Sequence, residues 1–375
     1  MMDTPDEDQI RDNPYVLSPT VPLGAYSFCD SRQEYYRLAP PPKYFTPELL
    51  LADFAALPTE KDVILSGFEA DESGAIICND KEALDRQKGV LAHVAKQIAM
   101  NLLKGLSISH ISLPIKIFEP RSSIQRICDL WTFAPRYLKE AGRTEDHLER
   151  LKLTISFMIS SMYMCTSQNK PFNPLLGETL QGQFPDGTIF YCEHTSHHPP
   201  ISHFLVEDAE ELYKLYGYYE VYGKMGANHI VTGLRGPNNI VFPDGQHIRF
   251  GFPSYKLGGT VMGERSIETI GSCVFEDLTN DRKAVLIMST YKKTGWIRTS
   301  TSGFKDKFVG VIYDSKPLKG DEDSIRKNYS RDIEFISDLK SIKDMKKKIC
   351  EIEGSWLNYL EIDGKTYWDI DEIIP

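Results

Sequence analysis

No uncharged apolar stretch in these 375 residues approaches the ~20 residues that a membrane-spanning helix requires. The chain starts Met-Met-Asp-Thr-Pro-Asp-Glu-Asp, without the apolar run of a secretory signal. The expectation is a cytosolic protein that meets membranes from outside. No Cys-x-x-Cys pair occurs among the seven cysteines (Cys29, Cys78, Cys128, Cys165, Cys192, Cys273 and Cys350), and their number is odd, which reads as reduced thiols. Basic residues are in deficit too: 43 Lys and Arg against 53 Asp and Glu leave a formal charge of −10. That balance excludes a global basic field, so nucleic acid is not an expected partner, and any attraction to an anionic bilayer must come from a local patch.

What the chain has in quantity is turn and strand chemistry. With 26 glycines, 22 prolines and 19 tyrosines beside 41% hydrophobic residues, the composition fits a strand-rich protein with a sizeable core. Residues 1–78 read as an N-terminal extension, partly disordered, since its first part is acidic and proline-bearing without periodicity. From Asn79, with Glu82 in capping-box spacing, Leu91, Val94, Ile98 and Leu102 recur at helical intervals until Gly105. Lys88, Lys96, Gln97, Asn101 and Lys104 occupy the other face, so 79–105 is an amphipathic, locally basic helix. Core packing is its plain reading and a membrane-contacting lid the functional one. Residues 106–168 read as a helical layer, with helices over Ile124–Tyr137 and Arg143–Met164. In the second, Leu151, Ile155, Met158 and Met162 form a buried stripe and Glu149, Arg150 and Lys152 are solvated charges.

After Pro174 the character changes. Runs such as Thr188–Tyr191, Leu215–Tyr222, His229–Thr232 and Ile248–Phe252 are separated by Pro185-Asp186-Gly187, Gly236-Pro237-Asn238-Asn239 and Pro243-Asp244-Gly245. The fold class expected is α+β, mainly β. Residues 169–315 form a large antiparallel sheet curled into a barrel around a tunnel, with N-terminal helices and a helical lid. Residues 316–348 read as a Lys-rich insertion, more plausibly a solvated face than a second anionic-membrane contact. Residues 349–375 read as the last strands.

The most informative segment is Glu193-His194-Thr195-Ser196-His197-His198-Pro199-Pro200. Successive strand residues face opposite sides, so His197 and His198 share a pocket only if the chain turns there, and the two prolines impose that turn. Two imidazoles at a rim can bind a phosphate, bind a metal or transfer protons; two surface histidines in a loop is the plain alternative. Upstream, Lys170-Pro171-Phe172-Asn173-Pro174-Leu175-Leu176-Gly177-Glu178 holds Lys170 and Asn173 in a rigid non-helical loop.

Together the two segments resemble the lipid-binding domain of the oxysterol-binding-protein-related family, whose fingerprint reads Glu-Gln-Val-Ser-His-His-Pro-Pro; here His194-Thr195 stand for Gln-Val. Ile111–Ser122, Arg150–Ser167, Gly354-Ser355-Trp356 and Tyr367-Trp368-Asp369 extend the resemblance from about residue 86 to the C-terminus. The resemblance implies a lipid-transfer protein without a cofactor. Lys170, Asn173, His197, His198 and the Phe172 backbone amide would hold a phosphatidylinositol 4-phosphate headgroup. A sterol or other apolar lipid would occupy the same tunnel in turn, and Leu91, Val94, Ile98 and Leu102 would contact the membrane surface transiently. It also implies a cytoplasmic protein, peripheral at membranes or at contact sites between them. The family's C-terminal Lys-x-x-x-Glu-x-x-x-Arg helix has no match: Lys347 and Glu351 are followed by Ser355, and they precede the last strands. A shortened chain, an incomplete gene reading and a divergent member all fit that departure. Two other classes stay open. One is a lipid-gated scaffold without net transfer. The other is a metal-dependent hydrolase using His194, His197, His198 and His203 with Glu193 as base, which Pro199-Pro200 disfavours by forbidding a helical His-x-x-x-His pair.

Overall fold

The computed structural model describes residues 65, 67–87, 89–90, 114–167, 169–294, 300–315, 338–345 and 348–371. A short hairpin, β1 (Phe68–Ala70) and β2 (Ile76–Cys78), is followed by helix α1 (Lys81–Gln87). Next come β3 (Phe118–Ser122), α2 (Ser123–Ile127), α3 (Ala134–Arg143), α4 (His147–Ser161) and β4 (Lys170–Phe172). Strands then succeed one another: β5 (Thr179–Gln183), β6 (Ile189–His197), β7 (Pro200–Glu207), β8 (Lys214–Met225), β9 (His229–Arg235), β10 (Asn238–Val241) and β11 (His247–Phe250). They continue with β12 (Ser254–Gly258), β13 (Ser266–Asp277), β14 (Arg282–Met288), β15 (Lys292–Thr294), β16 (Ser300–Ser302) and β17 (Lys307–Asp314). Helix α5 (Leu339–Asp344) precedes β18 (Cys350–Ser355), β19 (Tyr359–Ile362) and β20 (Lys365–Asp369).

The expected antiparallel sheet is present, with 16 strands. Its long path runs β5-β6-β7-β8-β10-β11-β13-β14-β17-β18-β19-β20. The two 12-residue strands β8 and β13 act as rails. One half of β8 (214–217) pairs with β10 and the other (220–225) with β9, while β13 likewise divides between β11 and β12. Two ladders therefore lie end to end between the same rails. Where they meet, a Cβ on Gly217 would lie 2.0 Å from the Pro237 carbonyl oxygen, and Gly236 adopts φ 121°. Only glycine fits this junction. The sequence assigned residues up to 78 to an extension, but β2 pairs with β13, so the first hairpin is part of the sheet.

Among the described residues the path does not close by pairing β5 with β20. The helical layer stands between those ends instead. Trp131, after α2, packs its ring 5.0 Å from Phe204 and 5.8 Å from Phe190, whereas Tyr163, after α4, stacks 6.1 Å from Trp368. The stripe Leu151, Ile155, Met158 and Met162 is wholly buried as expected, and Phe157 meets Phe250 edge-on at 6.2 Å. Phe250 in turn stacks on Phe275 at 5.2 Å. The β10–β11 half of the sheet is thereby filled by α4, whereas the residues of β9 and β12 are almost all only half-buried.

Three expectations on the helices change. The run Ile124–Tyr137 is broken: α2 ends in a 3₁₀ turn at 128–131, and Pro135, in the first turn of α3, starts a new helix rather than extending an old one. Helix α4 begins at 147, not 143, because the Asp146 side chain accepts from the Leu148 and Glu149 amides. The third change lies in 79–105. There the cap is Asp80, which accepts from Ala83 N at 3.0 Å, and α1 ends at Gln87 before Gly89 at φ 80°. Leu91, Val94, Ile98 and Leu102, the expected lid face, lie outside the described residues.

The apolar run Ala284–Met288 in β14 is buried on both faces. Its inner side joins the main core. Its outer side is covered by α5, whose Ile342 packs with Val285, Ile287, Val311 and Tyr313. The end of the Lys-rich insertion is therefore a helix capped by Asp338 that docks through Ile342 while Lys340, Lys343 and Asp344 stay exposed, so the solvated charged face holds on its outer side; residues 316–337, 346 and 347 lie outside the described residues.

Arg150, expected to be solvated, is 3% exposed. Its guanidinium donates to Asp244 Oδ2 at 2.6 Å, Gln246 Oε1 at 2.8 Å and the Ala141 carbonyl at 2.8 Å, and lies over the Phe242 ring. A charged side chain on the buried face of a helix is tolerated because each of its three nitrogens finds an acceptor, the last being the Thr144 carbonyl. Arg150→Ala is expected to cost about 3 kcal/mol in chemical unfolding, since it strands those acceptors. Lys152→Ala on the same helix should cost under about 1 kcal/mol. Equal effects would contradict the assignment.

Candidate headgroup site at the sheet rim

The two sequence segments meet at one rim. Strand β6 ends at His197, β7 begins at Pro200, and His197 pairs with Pro200 across the tight turn His198-Pro199. The prolines end the strand as expected. Gly177, at φ 80°, donates its N–H to the His194 carbonyl at 2.8 Å, and His194 N–H donates to the Glu178 carbonyl at 2.9 Å. These two backbone bonds hold the 173–178 loop against the histidine segment. The loop is closed internally by the Glu178 carboxylate, which accepts from Leu175 N at 2.8 Å.

Lys170 and Phe172 lie on β4, which pairs in parallel with β3, so that Phe118 stands opposite Lys170. The Phe118 and Phe172 rings stack at 4.7 Å, and Lys170 Nζ lies 5.0 Å over Phe118. The same ammonium donates to Asn173 Oδ1 at 2.7 Å and to the Pro171 carbonyl at 3.0 Å. Burial pulls the Lys170 amine below its ordinary value. Among the described residues this half-buried charge meets neutral acceptors, a condition in which an anion gains much.

On the histidine side the register slips between His194 and Ser196: His194 opposes Ser202 and Ser196 opposes Ile201, leaving Thr195 unpaired as a bulge. Without that extra residue, positions 194 and 197 would face opposite sides. With it, His194 Nε2 lies 3.0 Å from His197 Nδ1, and His194 Nδ1 lies 3.0 Å from Ser202 Oγ. The His197 and His198 rings meet at 5.1 Å, so the turn does bring them together. Among the described residues no direct hydrogen bond joins Lys170 or Asn173 to His197 or His198; the link is through the backbone of 177, 178 and 194.

His203 does not join the group. Its Nδ1 contacts Thr195 Oγ1 at 2.8 Å on the outer face, and among the described residues no cluster of three or more His, Cys, Asp or Glu is placed to hold a metal. An open cavity of about 400 Å³ on that outer face is lined by Gln181, Tyr191, Glu193 and His203, without any of the headgroup candidates. Glu351, which falls short of the family's terminal helix pattern in sequence, lies in β18 and pairs with Lys348; Ser355 in the same strand is buried on Asp306. That stretch is strand, not the phosphate-binding helix. Among the described residues no helix is long and apolar enough to cross a membrane. Sequence reading missed Phe118, Ser202 and the role of His194. The first two carry no local pattern, and the third depends on a bulge that period-two alternation conceals.

Burial, and then the facing His197, hold the His194 imidazole below its ordinary 6.5, with Glu178 acting in the opposite sense. The unfolded chain therefore takes up this proton more readily than the folded one. The stability contributed is complete above 6.5 and is lost as pH falls through the lower folded value. His247, lowered by burial and by Arg249, adds to the same trend. Denaturation midpoints should drop between pH 7 and pH 5, and His194→Gln should shrink that drop. A midpoint slope unchanged in the variant would refute it.

Comparison with known proteins supports the same reading. The family model described as oxysterol-binding protein matches residues 98–326, more than half of the chain. Oxysterol-binding protein 9 of Dictyostelium discoideum is 33% identical over 300 residues, spanning 79% of this chain and 66% of that protein. Human oxysterol-binding protein-related protein 5 is 28% identical over 202 residues, 51% of this chain and 23% of that protein. The chain thus matches less than two thirds of these relatives' lengths. Among solved structures, the Osh3 ORD from Saccharomyces cerevisiae, in complex with PI(4)P, superposes with TM-score 0.54 at 22% identity, covering 75% of this chain and 65% of that one. The Osh1 ORD domain in complex with ergosterol gives 0.52 at 20% identity, covering 71% of this chain and 54% of that one. These neighbours share the mainly antiparallel fold, and the family match over more than half of its length establishes that the chain belongs to the oxysterol-binding protein family.

Proposed function

We propose that this chain binds and transfers lipids, holding a sterol or similar apolar lipid and phosphatidylinositol 4-phosphate alternately in one tunnel and exchanging them between membranes. The observation that supports this reading is the pair of backbone hydrogen bonds between Gly177, Glu178 and His194, which joins the loop that follows Lys170 to the histidine segment. The related Osh3 and Osh1 domains were solved with PI(4)P and with ergosterol, the two kinds of ligand this arrangement suits. The half-buried faces of β9 and β12 lie on the same side of the sheet junction as the β6–β7 turn, and they offer the apolar wall.

Lys170 exchanges its Asn173 and Pro171 oxygens for a phosphate oxygen, which frees the Asn173 amide to turn toward the ligand; the Phe172 backbone amide and the two imidazoles supply directional donors. Burying roughly 400 Å² of lipid carbon contributes on the order of 10 kcal/mol relative to water. Relative to a bilayer it contributes almost nothing, because the tails are already in hydrocarbon. Apolar cargo is therefore exchanged nearly evenly, and headgroup contacts decide which lipid stays. The reading places the protein in the cytoplasm, peripheral at membranes or their contact sites. Leu91, Val94, Ile98 and Leu102 are assigned to the membrane-facing lid on sequence spacing and family resemblance.

The test is lipid mass spectrometry of protein purified from cells, with liposome-to-liposome transfer alongside. His197→Ala/His198→Ala should lose phosphoinositide by tenfold or more, on the order of two charge-assisted contacts, and keep its apolar lipid. Equal loss of both ligands from a folded variant would reject the headgroup assignment. Binding without any transfer would favour a lipid-gated scaffold.

A further inference from the structure

His194 is 1% exposed, and both of its ring nitrogens are engaged, one by Ser202 Oγ and one by His197 Nδ1. A neutral imidazole has one donor and one acceptor nitrogen, so the two links must run in a common direction. In one direction the Ser202 hydroxyl donates to His194 Nδ1 and His194 Nε2–H donates to His197 Nδ1. Neutral His197 then keeps Nε2–H for a ligand. In the other, a His197 imidazolium donates Nδ1–H to His194 Nε2, and His194 Nδ1–H donates to Ser202 Oγ. Nε2–H again faces the ligand, now on a cation. Passing from the first arrangement to the second adds one proton to the pair, taken from solvent: the His194 Nε2 proton passes to His197 Nδ1, and His194 Nδ1 gains a proton in its place, relayed through the Ser202 hydroxyl.

We propose that His194 is a positioning residue for anion binding at His197, and that the Ser202–His194–His197 chain couples capture of a tetrahedral oxyanion, free or carried on a lipid headgroup, to the uptake of one proton. This rests on the phosphate reading of the rim given above. The groups facing the His194 ring are His197 on its own strand and Glu178 from the loop ahead of β5, with His198 beyond His197. On α2, which packs against β5 and β6, Arg126 is committed to Asp129 and the Thr166 carbonyl. Because burial and His197 favour neutral His194, the added proton settles on His197, the ring nearer the rim. Bound anion and proton then stabilise one another, and the buried imidazole behind them accepts rather than competes.

The experiment measures binding of phosphatidylcholine vesicles containing phosphatidylinositol 4-phosphate, and separately of sulfate, whose charge is constant, from pH 5.5 to 8.5. Imidazole ¹⁵N NMR follows the rings. Wild type should bind both probes more weakly as pH rises, with the His197 titration midpoint moved upward by sulfate. His194→Leu should bind about tenfold more weakly at pH 6, the effect of one hydrogen bond to a charged group, yet within about twofold at pH 8.5. His194→Gln, whose amide can donate or accept, should recover most of the loss. Should the leucine variant fail to fold, Ser202→Ala must move the pH profile the same way by a smaller factor. An unchanged profile in these variants, or a loss equal at every pH, overturns the coupling while leaving the headgroup reading intact. Failure of wild type to bind either probe overturns both. Sulfate bound without the vesicles assigns the site to free oxyanions.

Discussion

A β-strand sends its side chains alternately to opposite faces, and the extra residue at Thr195 suspends that rule at the one place in β6 where it matters. One unpaired residue lets His194, His197 and Ser202 converge, while Thr195 and His203 are turned to the outer face. The chemistry of the rim follows from this local slip of register. Because the bulge is flanked by regular pairing on both sides, its geometry is imposed by the sheet and does not depend on a mobile loop.

The sheet supports that geometry by dividing its labour. The β10–β11 half is filled with α4 and the ring stacks of Phe250, Phe275 and Phe157. The β9–β12 half keeps half-buried faces beside the rim. Charges that would otherwise weaken the filled half are matched in place, with Arg150 on Asp244 and Gln246, and Lys139 within 3.3 Å of both Asp186 and Asp208. A densely filled half and a half-buried one thus share the same two rails.

Much of this was legible in the sequence because it rests on local chemistry. Proline and glycine clusters marked the turns, the β-rich runs between them marked β6, β8, β9 and β11, and the Met-bearing stripe of α4 announced a buried face. What escaped depends on partners far along the chain. Arg150 looks like a solvated charge until Asp244 and Gln246 arrive beside it from a hairpin ninety-odd positions away. The split of β8 between two partners has no signature in β8 itself, and the strand β2 looked like part of a tail because only β13 makes it part of the sheet. The headgroup candidates were read from two motifs and the family resemblance, but the backbone bonds that join those motifs are invisible to any pattern of side chains.

The docked helix α5 carries one more implication. Strands β17 and β18 pair directly, and the Ile349 amide donates to the Ile312 carbonyl where the intervening segment returns. The excursion between them is pinned at its base and, by Ile342, near its end. Lengthening a closed excursion is cheap, about 0.6 kcal/mol for each doubling. Evolution or an engineer can therefore graft new sequence here, a targeting peptide or a fluorescent reporter, while the sheet and its helical layer go on folding as before.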